Sequence, residues 1–429
     1  MKNILNSVFE TQHQSAPFEQ IQTTYFIPAL ELEISKTLEE IDHICSNPAI
    51  PTFENTLEAL EQSGEQLGII SGILFNLNSA ETSNELQEVT QKAAPLLTKF
   101  QNDVRLNKVL FDRIKNIFDK KETLALDPEQ LTLIEKEYKG FVRNGALLSA
   151  EDKDKLRLID TELAQLSLSF GEHVLADTQA FELHLTDKKQ LSGLPQTSIT
   201  QAEALAKEKN KDGWVFTLDY PSYVPFVTFA DDRALRKKMS LAFGKRGFQK
   251  NENNNESSIL KLVQLKKDRA NLLGYSSHAD FVLEERMAQS ASQVNQFLDD
   301  LYQNALPYAK KEWEQIERFA EDKLDLKDLQ KWDTSYVSEK LKQELFDFDE
   351  QILKPYFPLP NVLKGLFEIV ERLYGLRFEQ SDAIQGYHKD VICYEVFNET
   401  GGFHALLYAD FHPRSGKRSG AWMTSYRSQ

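Results

Sequence analysis

The chain has 429 residues, more than one ordinary domain, and its 41% hydrophobic, 27% charged and 10% aromatic composition is typical of a soluble globular protein. A formal net charge of −16 argues against nucleic-acid binding, which normally requires a basic surface, and against contact with anionic membranes. Two cysteines, Cys45 and Cys393, exclude a disulfide framework, and no apolar run suits a membrane span or a signal peptide, so a cytoplasmic protein is expected.

From about residue 30 to residue 210 the sequence has the apolar periodicity of successive helices. Pro51 and Thr52 form a start signal, and one continuous helix is predicted to follow them. The apolar positions of this helix are Leu57, Leu60, Leu67, Ile70 and Leu74.

A second helix start is predicted at Ser149, because Ser149 and Asp152 have the spacing of a capping box. The residues that follow form one apolar stripe, for which core packing is the expected role. The stripe consists of Leu156, Ile159, Leu163, Leu166 and Phe170.

Between Gly213 and Ala230 the composition changes to β-branched and aromatic residues interrupted by two prolines. No single regular helix fits this composition. Extended segments that join two helical regions are therefore predicted here.

Two further amphipathic helices are predicted beyond this junction. One follows a capping box at Ser290 and Gln293, and the other runs from Asn361 to a terminating Gly375. Their apolar positions are Val294, Phe297 and Leu301 in the first, and Val362, Leu366, Ile369 and Leu373 in the second.

From Val391 the hydrophobic period becomes two, which predicts an antiparallel meander of short strands. The predicted strands are residues 391–397, residues 403–411 and the segment from Ala421 onward. Such a small sheet needs a helix or further strands against one face to be stable.

The histidines were considered as metal ligands, and none of them is followed by Glu, so the sequence contains no HExxH motif. They are His13, His43, His173, His184, His278, His388, His404 and His412. His404 and His412 are eight residues apart, and strand or turn positions explain them better than zinc coordination does.

Other reactive groups also lack a catalytic context. Ser415 and Ser419 lie in no GxSxG elbow and are interpreted as turn residues, while Cys393 in its alternating strand is interpreted as a small buried hydrophobe. A basic cluster in the same turn either attracts a carboxylate or forms a solvated hairpin, and the second interpretation is favoured. Its members are Arg414, Lys417 and Arg418. No catalytic or metal-binding residue is assigned from the chemistry of the residues.

Five segments, in order along nearly the whole chain, carry a resemblance to a known family. They are PTFENTLEALE at 51–61, LSLSFGEHVLADTQAFEL at 166–183, GWVFTLDYPSYVPFVTFADDRALRKKM at 213–239, NLLGYSSHADFVLEERMA at 271–288 and LLYADFHPRSGKRSGAWMTSYRSQ at 406–429. The sequence resembles the thimet oligopeptidase family of zinc metallopeptidases, in the branch of bacterial dipeptidyl carboxypeptidase and oligopeptidase A.

The resemblance implies zinc-assisted hydrolysis of short unfolded peptides, in which zinc polarises the scissile carbonyl and the HExxH glutamate takes a proton from water. In the family this motif follows the strand that matches AWM at residues 421–423. The chain is therefore expected to be the amino-terminal part of such an enzyme, truncated before HExxH. On this expectation it binds no zinc and cleaves no peptide alone.

The resemblance also implies a mainly α, multi-helical, two-lobed scaffold with a small antiparallel β-meander near the C-terminus. Residues 1–221 are expected to form an N-terminal helical region, and residues 222–429 the incomplete start of the catalytic region. The edge of the meander is where substrate can lie by strand addition. The candidate substrate-binding residues are Gly420, Ala421, Trp422 and Met423, and packing of Trp422 and Met423 within the sheet is the alternative.

Three functional hypotheses remain open from the sequence. The first, which is favoured, is the truncated zinc oligopeptidase, whose partners are short peptides and the missing C-terminal catalytic half. The second is a non-catalytic helical scaffold that binds peptides. The third is complementation by a separately encoded second half, which predicts zinc-dependent activity only when the two pieces are mixed. None of them involves nucleic acid or a membrane.

Overall fold

The computed structural model describes residues 3–427 and is dominated by α-helices, which confirms the mainly α fold class. The helices are α1 (Phe26–Ser46), α2 (Ala59–Gln62), α3 (Glu65–Ala80), α4 (Asn84–Arg105), α5 (Lys108–Phe118), α6 (Pro128–Arg143), α7 (Ala150–Ala180), α8 (Gln196–Glu208), α9 (Tyr220–Phe229), α10 (Arg233–Gly244), α11 (Glu256–Leu272), α12 (His278–Leu283), α13 (Ala291–Leu324), α14 (Lys331–Phe346) and α15 (Leu359–Tyr374). The strands are β1 (Leu183–Leu185), β2 (Trp214–Phe216), β3 (Arg377–Gln380), β4 (Ile392–Phe397) and β5 (Phe403–Ala409). None of the described helices has the length and apolarity needed to cross a membrane.

The N-terminal part is a helical bundle in which α1 packs against α3, α4 and α5, and α7 packs against α4 and α11. Its core is divided into two clusters, one around Leu30 and Ile70 and the other around Leu110 and Phe141, all of which are fully buried. Burial of these side chains removes apolar surface from water and holds the bundle together.

The helix start at Thr52 is confirmed, since Thr52 and Asn55 form a capping box. The prediction of one continuous helix is wrong. The chain forms a π-helix over Phe53–Glu58, then α2, and then breaks at Gly64, whose φ is +73°. Gly64 lies against Thr37 of α1, where a Cβ atom would come within 2.9 Å of Thr37 Cγ2. Glycine is required at this position because the two helices approach so closely and because φ is positive. The turn at Gly64 sets the direction in which α3 begins.

The capping residue of α7 is also confirmed, because the Ser149 side chain accepts a hydrogen bond from the Asp152 N–H at 3.2 Å. The predicted core stripe on α7 is only partly right. Leu156 is buried, but Phe170 at the other end of the stripe is 37% exposed. The 31-residue helix α7 packs against both α4 and α11. Its apolar stripe is therefore not buried along its whole length in a single core.

The junction between Gly213 and Ala230 is extended only at β2, which pairs antiparallel with β1. The prediction of extended structure is wrong for Tyr220–Phe229, which forms α9. Pro221 lies in the first turn, where its missing N–H has no partner to lose, and Pro225 removes one interior hydrogen bond. Burial of Phe226, whose ring meets that of Phe216 edge-on at 4.8 Å, offsets that loss.

Helices α9, α10 and α14 meet around a buried ion cluster. Asp333 of α14 is fully buried and accepts hydrogen bonds from Arg236 at 2.9 Å and from Arg233 at 2.7 Å. Arg236 also donates to the carbonyls of Ala230 and Asp231, so one guanidinium connects the end of α9 to α14.

Two later helix signals are confirmed, the start of α13 and the end of α15. Ser290 caps α13 by accepting from the Gln293 N–H at 3.2 Å, and Gly375 ends α15 with a φ of +69°. Helix α15 begins at Leu359, two residues before the predicted Asn361.

The C-terminal sheet is antiparallel with the order β3, β4, β5. Strands β4 and β5 match the prediction, but the third strand is β3 at Arg377–Gln380 rather than the segment from Ala421 onward, which forms no strand among the described residues. The reason is a contact with the bundle: the Thr82 N–H donates to the Gly416 carbonyl at 2.9 Å, and the Arg418 N–H donates to the Ser79 carbonyl at 2.8 Å. The chain after β5 is thereby drawn to the end of α3. Ser428 and Gln429, the last two residues of the segment that carries the resemblance, lie outside the described residues.

Candidate peptide-binding cavity

A cavity of about 980 Å³ lies between the C-terminal sheet and the N-terminal bundle. The N-terminal arm, residues 3–25 before α1, contributes Phe9 and His13. Helix α3 contributes Ile73, and the whole of β5 lies along one wall. Residues 417–427 form another side. A concave, largely apolar space with a few polar groups is the usual form of a ligand site.

The four residues predicted to bind substrate, Gly420, Ala421, Trp422 and Met423, all line this cavity. Trp422 and Met423 also border a second cavity of about 730 Å³ toward α3, α4 and α7. The indole of Trp422 is partly buried under the Arg418 guanidinium, at 5.1 Å from ring centre to Cζ, whereas Met423 is 96% exposed. No strand passes through residues 420–423, so their predicted place at the edge of the meander is wrong, and packing of Trp422 and Met423 within the sheet is wrong as well.

The free sheet edge at this cavity belongs to β5, which sequence reasoning did not single out. One side of β5 pairs with β4, and no strand within residues 3–427 pairs with its other side. Residues 403–411 line the cavity. An edge of this kind can hydrogen-bond to an extended peptide through its main chain.

The N-terminal arm is fastened to the sheet beside this edge by His13. The His13 ring stacks on Phe403 at 3.5 Å between centroids, and its Nε2 atom lies 2.7 Å from Glu395 Oε1. This hydrogen bond lowers the pKa of Glu395. No local sequence pattern predicts this contact, because positions 13 and 395 are brought together only by the fold.

Three tyrosines form an aromatic cluster around Phe18 at the base of the cavity: Tyr387, Tyr408 and Tyr426. The Tyr426 hydroxyl accepts a hydrogen bond from Asn76 of α3. Burial raises the pKa of Tyr426, so its phenol stays neutral across the physiological range. These side chains fix residues 424–427 against the bundle.

The favoured interpretation of the basic turn as a solvated hairpin is wrong for Arg414 and Lys417, whose charges pair with carboxylates of this chain. Arg414 donates two hydrogen bonds to the Asp410 carboxylate, at 2.8 and 2.9 Å, and also pairs with Glu81 at the end of α3. Lys417 Nζ lies 2.8 Å from Asp410, and the Tyr387 hydroxyl donates to the same carboxylate at 2.9 Å. Burial would raise the pKa of Asp410, but these donors outweigh it and lower that pKa to about 2.

Of the three basic residues in the turn, Arg418 is the exposed one, and it lines both cavities. The guanidinium over Trp422 gives the site a positive charge beside an aromatic face.

We expect Gly416→Ala to destabilise this turn by about 1–3 kcal/mol. Gly416 has a φ of +80°, and an added Cβ atom would lie 2.4 Å from the Thr82 carbonyl oxygen. Gly401→Ala is the matched control, since Gly401 has the same φ of +80° with no atom within 4 Å. Urea unfolding measures the loss of unfolding free energy in each variant. Gly401→Ala reports backbone strain alone, so a larger loss in Gly416→Ala reports the close contact with Thr82. Equal losses of unfolding free energy in the two variants would contradict the role given to that contact.

Within residues 3–427 no group of three or more His, Cys, Asp or Glu side chains is arranged to hold a metal ion. Cys393 is buried in β4, as its alternating pattern predicted, and burial raises its pKa to about 11.

Two family models match the chain. The model of peptidase family M3 matches residues 226–429, and that of the neurolysin/thimet oligopeptidase N-terminal domain matches residues 26–153. The chain is also 33% identical over 414 residues to dipeptidyl carboxypeptidase of Escherichia coli strain K12, a match that covers 96% of this chain. The chain belongs to peptidase family M3.

Other relatives of this M3 chain are oligopeptidases by name. Oligopeptidase A of the same E. coli strain is 31% identical over 417 residues, and the match covers 96% of this chain. The organellar oligopeptidase A of Arabidopsis thaliana is 29% identical over 418 residues, which covers 95% of this chain. The M3 chain spans 61% of the length of each E. coli relative and 52% of the Arabidopsis protein.

Proposed function

We propose that this M3 chain is the scaffold part of a zinc-dependent oligopeptidase that hydrolyses short peptides in the cytoplasm, and that it is inactive alone. The supporting observation is 33% identity to a dipeptidyl carboxypeptidase over 96% of the chain. The zinc ligands and the general base are supplied by polypeptide other than residues 3–427. The relatives are a dipeptidyl carboxypeptidase and oligopeptidases by name, which supports short peptides as the substrate class.

In this proposal residues 1–221 are the helical region and residues 222–429 begin the catalytic region. The two regions act as one body, because a single hydrophobic core contains Phe216 from the first and Phe226 and Met239 from the second. Peptide lies in the cavity along the edge of β5, with Gly420, Ala421, Trp422 and Met423 on the opposite side. Backbone pairing along β5 accepts many sequences, which suits an oligopeptidase.

A second candidate is a peptide-binding scaffold without catalysis. It is favoured by the fact that the cavity and its strand edge are formed entirely by residues of this chain. The two functions share the binding step and differ in whether hydrolysis appears when a catalytic segment is added.

The test uses chain 1–429 and a fluorescent short peptide. We expect saturable binding without cleavage, and Trp422→Ala should raise the Kd about 30-fold, the effect of losing an aromatic anchor worth about 2 kcal/mol. Trp313→Ala, on α13 and outside the cavity, is the matched control and should leave the Kd unchanged.

Hydrolysis is then measured with zinc after mixing in the part of E. coli dipeptidyl carboxypeptidase that the match leaves out. Chelator-sensitive hydrolysis by the mixture supports the oligopeptidase, and binding without hydrolysis supports the scaffold. Chelator-sensitive cleavage by chain 1–429 alone would show that the metal site has been assigned wrongly.

A further inference from the structure

One cation at the cavity beside β5 has no carboxylate partner within residues 3–427. Three lysine or arginine side chains of the described residues line this cavity, namely Lys417, Arg418 and Arg427. Lys417 Nζ lies 2.8 Å from Asp410, and Arg427 Nε lies 3.4 Å from Glu65. Arg418 forms no such pair with the described residues, although acidic residues outnumber basic ones by 66 to 50 in the chain. Its charge is therefore open to a ligand.

The side chain of Arg418 is held at the cavity from both of its ends. At the main-chain end, the Arg418 N–H donates to the Ser79 carbonyl of α3 at 2.8 Å. At the other end, the guanidinium lies over the Trp422 ring, with Cζ 5.1 Å from the ring centre. Stacking on an aromatic ring occupies the face of a guanidinium and leaves the N–H groups in its plane, where they match the two oxygens of a carboxylate. An arginine that only solubilises the surface needs neither of these contacts.

Arg418 lies where the two cavities meet. The residues that line both cavities are Asn76, Arg418, Trp422, Met423 and Thr424. Among the described residues, Arg418 is the one charged side chain at the second cavity, and the other lining groups are apolar or neutral polar. Because no Asp or Glu of residues 3–427 lines the second cavity, nothing there repels an incoming anion. A peptide in the first cavity that reaches this meeting point brings a carboxylate to a cation without a competing partner.

The first cavity has two carboxylates of its own among the described residues, and neither neutralises Arg418. Asp410 is already paired inside the basic turn. Asp219, at the start of α9, accepts a hydrogen bond from the Thr217 hydroxyl at 2.9 Å. The carboxylate that Arg418 is arranged to receive is therefore that of a ligand.

We propose that Arg418 determines specificity in this cavity by binding a carboxylate of the peptide that lies along β5. The inference rests on the proposed function, because it names the class of peptide that the same site prefers. The carboxylate is the free C-terminus of the peptide or an acidic side chain, since both present the same pair of oxygens. Two parallel hydrogen bonds to one guanidinium fix the position of the peptide along the strand as well as holding it.

The test is a calorimetric titration of chain 1–429 with short acetylated peptides that have no charged side chain. Each peptide is made with a free C-terminal carboxylate and as the C-terminal amide. Wild type should bind the carboxylate form about 10-fold more tightly, the scale of a hydrogen bond to a charged group. Arg418→Met should bind the two forms equally. Arg418→Lys, which keeps the charge but loses the planar fork, should retain part of the preference.

A second set of peptides identifies the source of the carboxylate. These peptides are all C-terminal amides, and Gln is replaced by Glu at one position at a time. A gain of about 10-fold at one position that disappears in Arg418→Met assigns the interaction to an acidic side chain. A preference confined to the free C-terminus assigns it to the end of the peptide.

Arg427→Met is the matched control, because Arg427 lines the same cavity but is already paired with Glu65. This variant should keep the ratio of the two Kd values. Circular dichroism and thermal unfolding of Arg418→Met should match wild type, because Arg418 is exposed.

Equal binding of all peptide forms by wild type, or a carboxylate preference that survives in Arg418→Met, would overturn the role of Arg418 and leave the proposed function standing. Absence of saturable binding by every peptide would contradict the proposed function, and the role of Arg418 with it.

Discussion

Asp333→Ala is expected to lower the free energy of unfolding by about 3–5 kcal/mol, the cost of removing one partner from a buried ion pair. Asp333 is fully buried, and Arg236, which it accepts from at 2.9 Å, is also buried. Without the carboxylate, the Arg236 charge stays inside the junction of α9, α10 and α14 with only carbonyl partners. Its cation–π contact with Tyr336, at 4.0 Å from the ring centre, does not replace a carboxylate.

Hydrogen exchange is the measurement of choice, because it reports α10 and α14 separately from the N-terminal bundle. Both helices should lose protection in Asp333→Ala and keep it in Asp322→Ala, a change at an exposed position of α13. Arg236→Met combined with Asp333→Leu removes both charges, so its loss should be smaller than the sum of the single losses. Unchanged protection in Asp333→Ala would contradict the role assigned to the cluster.

The sequence predicted local features well, because the groups that decide them are close in the chain. Thr52, Ser149 and Ser290 each cap a helix through the N–H three residues ahead, so the signal is complete within four positions. The break at Gly64 depends on Thr37 in another helix, and no local pattern contains that information.

The same distinction holds at the cavity. The alternation that predicted β4 and β5 is local, but the path of the chain after Ala409 is decided by Arg414 and Glu81, which are 333 positions apart. The family resemblance pointed to residues 420–423, and these line the cavity. The contact between His13 and Glu395 could not be predicted, since it joins residues 382 positions apart.

Arg414→Met is expected to lower the free energy of unfolding of the C-terminal sheet region by about 3–5 kcal/mol, since it leaves a buried carboxylate without its main partner. The Asp410 and Arg414 side chains are 8% and 10% exposed, and Arg414 also holds Glu81 and the Ala80 carbonyl at the end of α3. Loss of the Arg414 side chain should release residues 411–420 from the bundle. It should also raise the Kd for peptide, as Trp422→Ala is expected to do. Arg418→Met, at an exposed position of the same turn, is the control for stability.

The effect of Arg414→Met should depend on pH in a direction that follows from Asp410. The folded pKa of Asp410 is about 2, below its ordinary value of 3.8, so its stabilising contribution is fully present above pH ~4 and is lost as pH falls toward 2. Without Arg414, burial is less strongly opposed and this pKa rises. The difference in unfolding free energy between wild type and Arg414→Met should therefore be constant near neutrality, shrink as pH falls below the raised pKa of the variant, and be smallest near pH ~2, where Asp410 takes up a proton in both proteins. Urea titrations at several pH values measure this difference, and a gap that stays constant down to pH ~2 would mean that Arg414 acts through packing rather than through the Asp410 carboxylate.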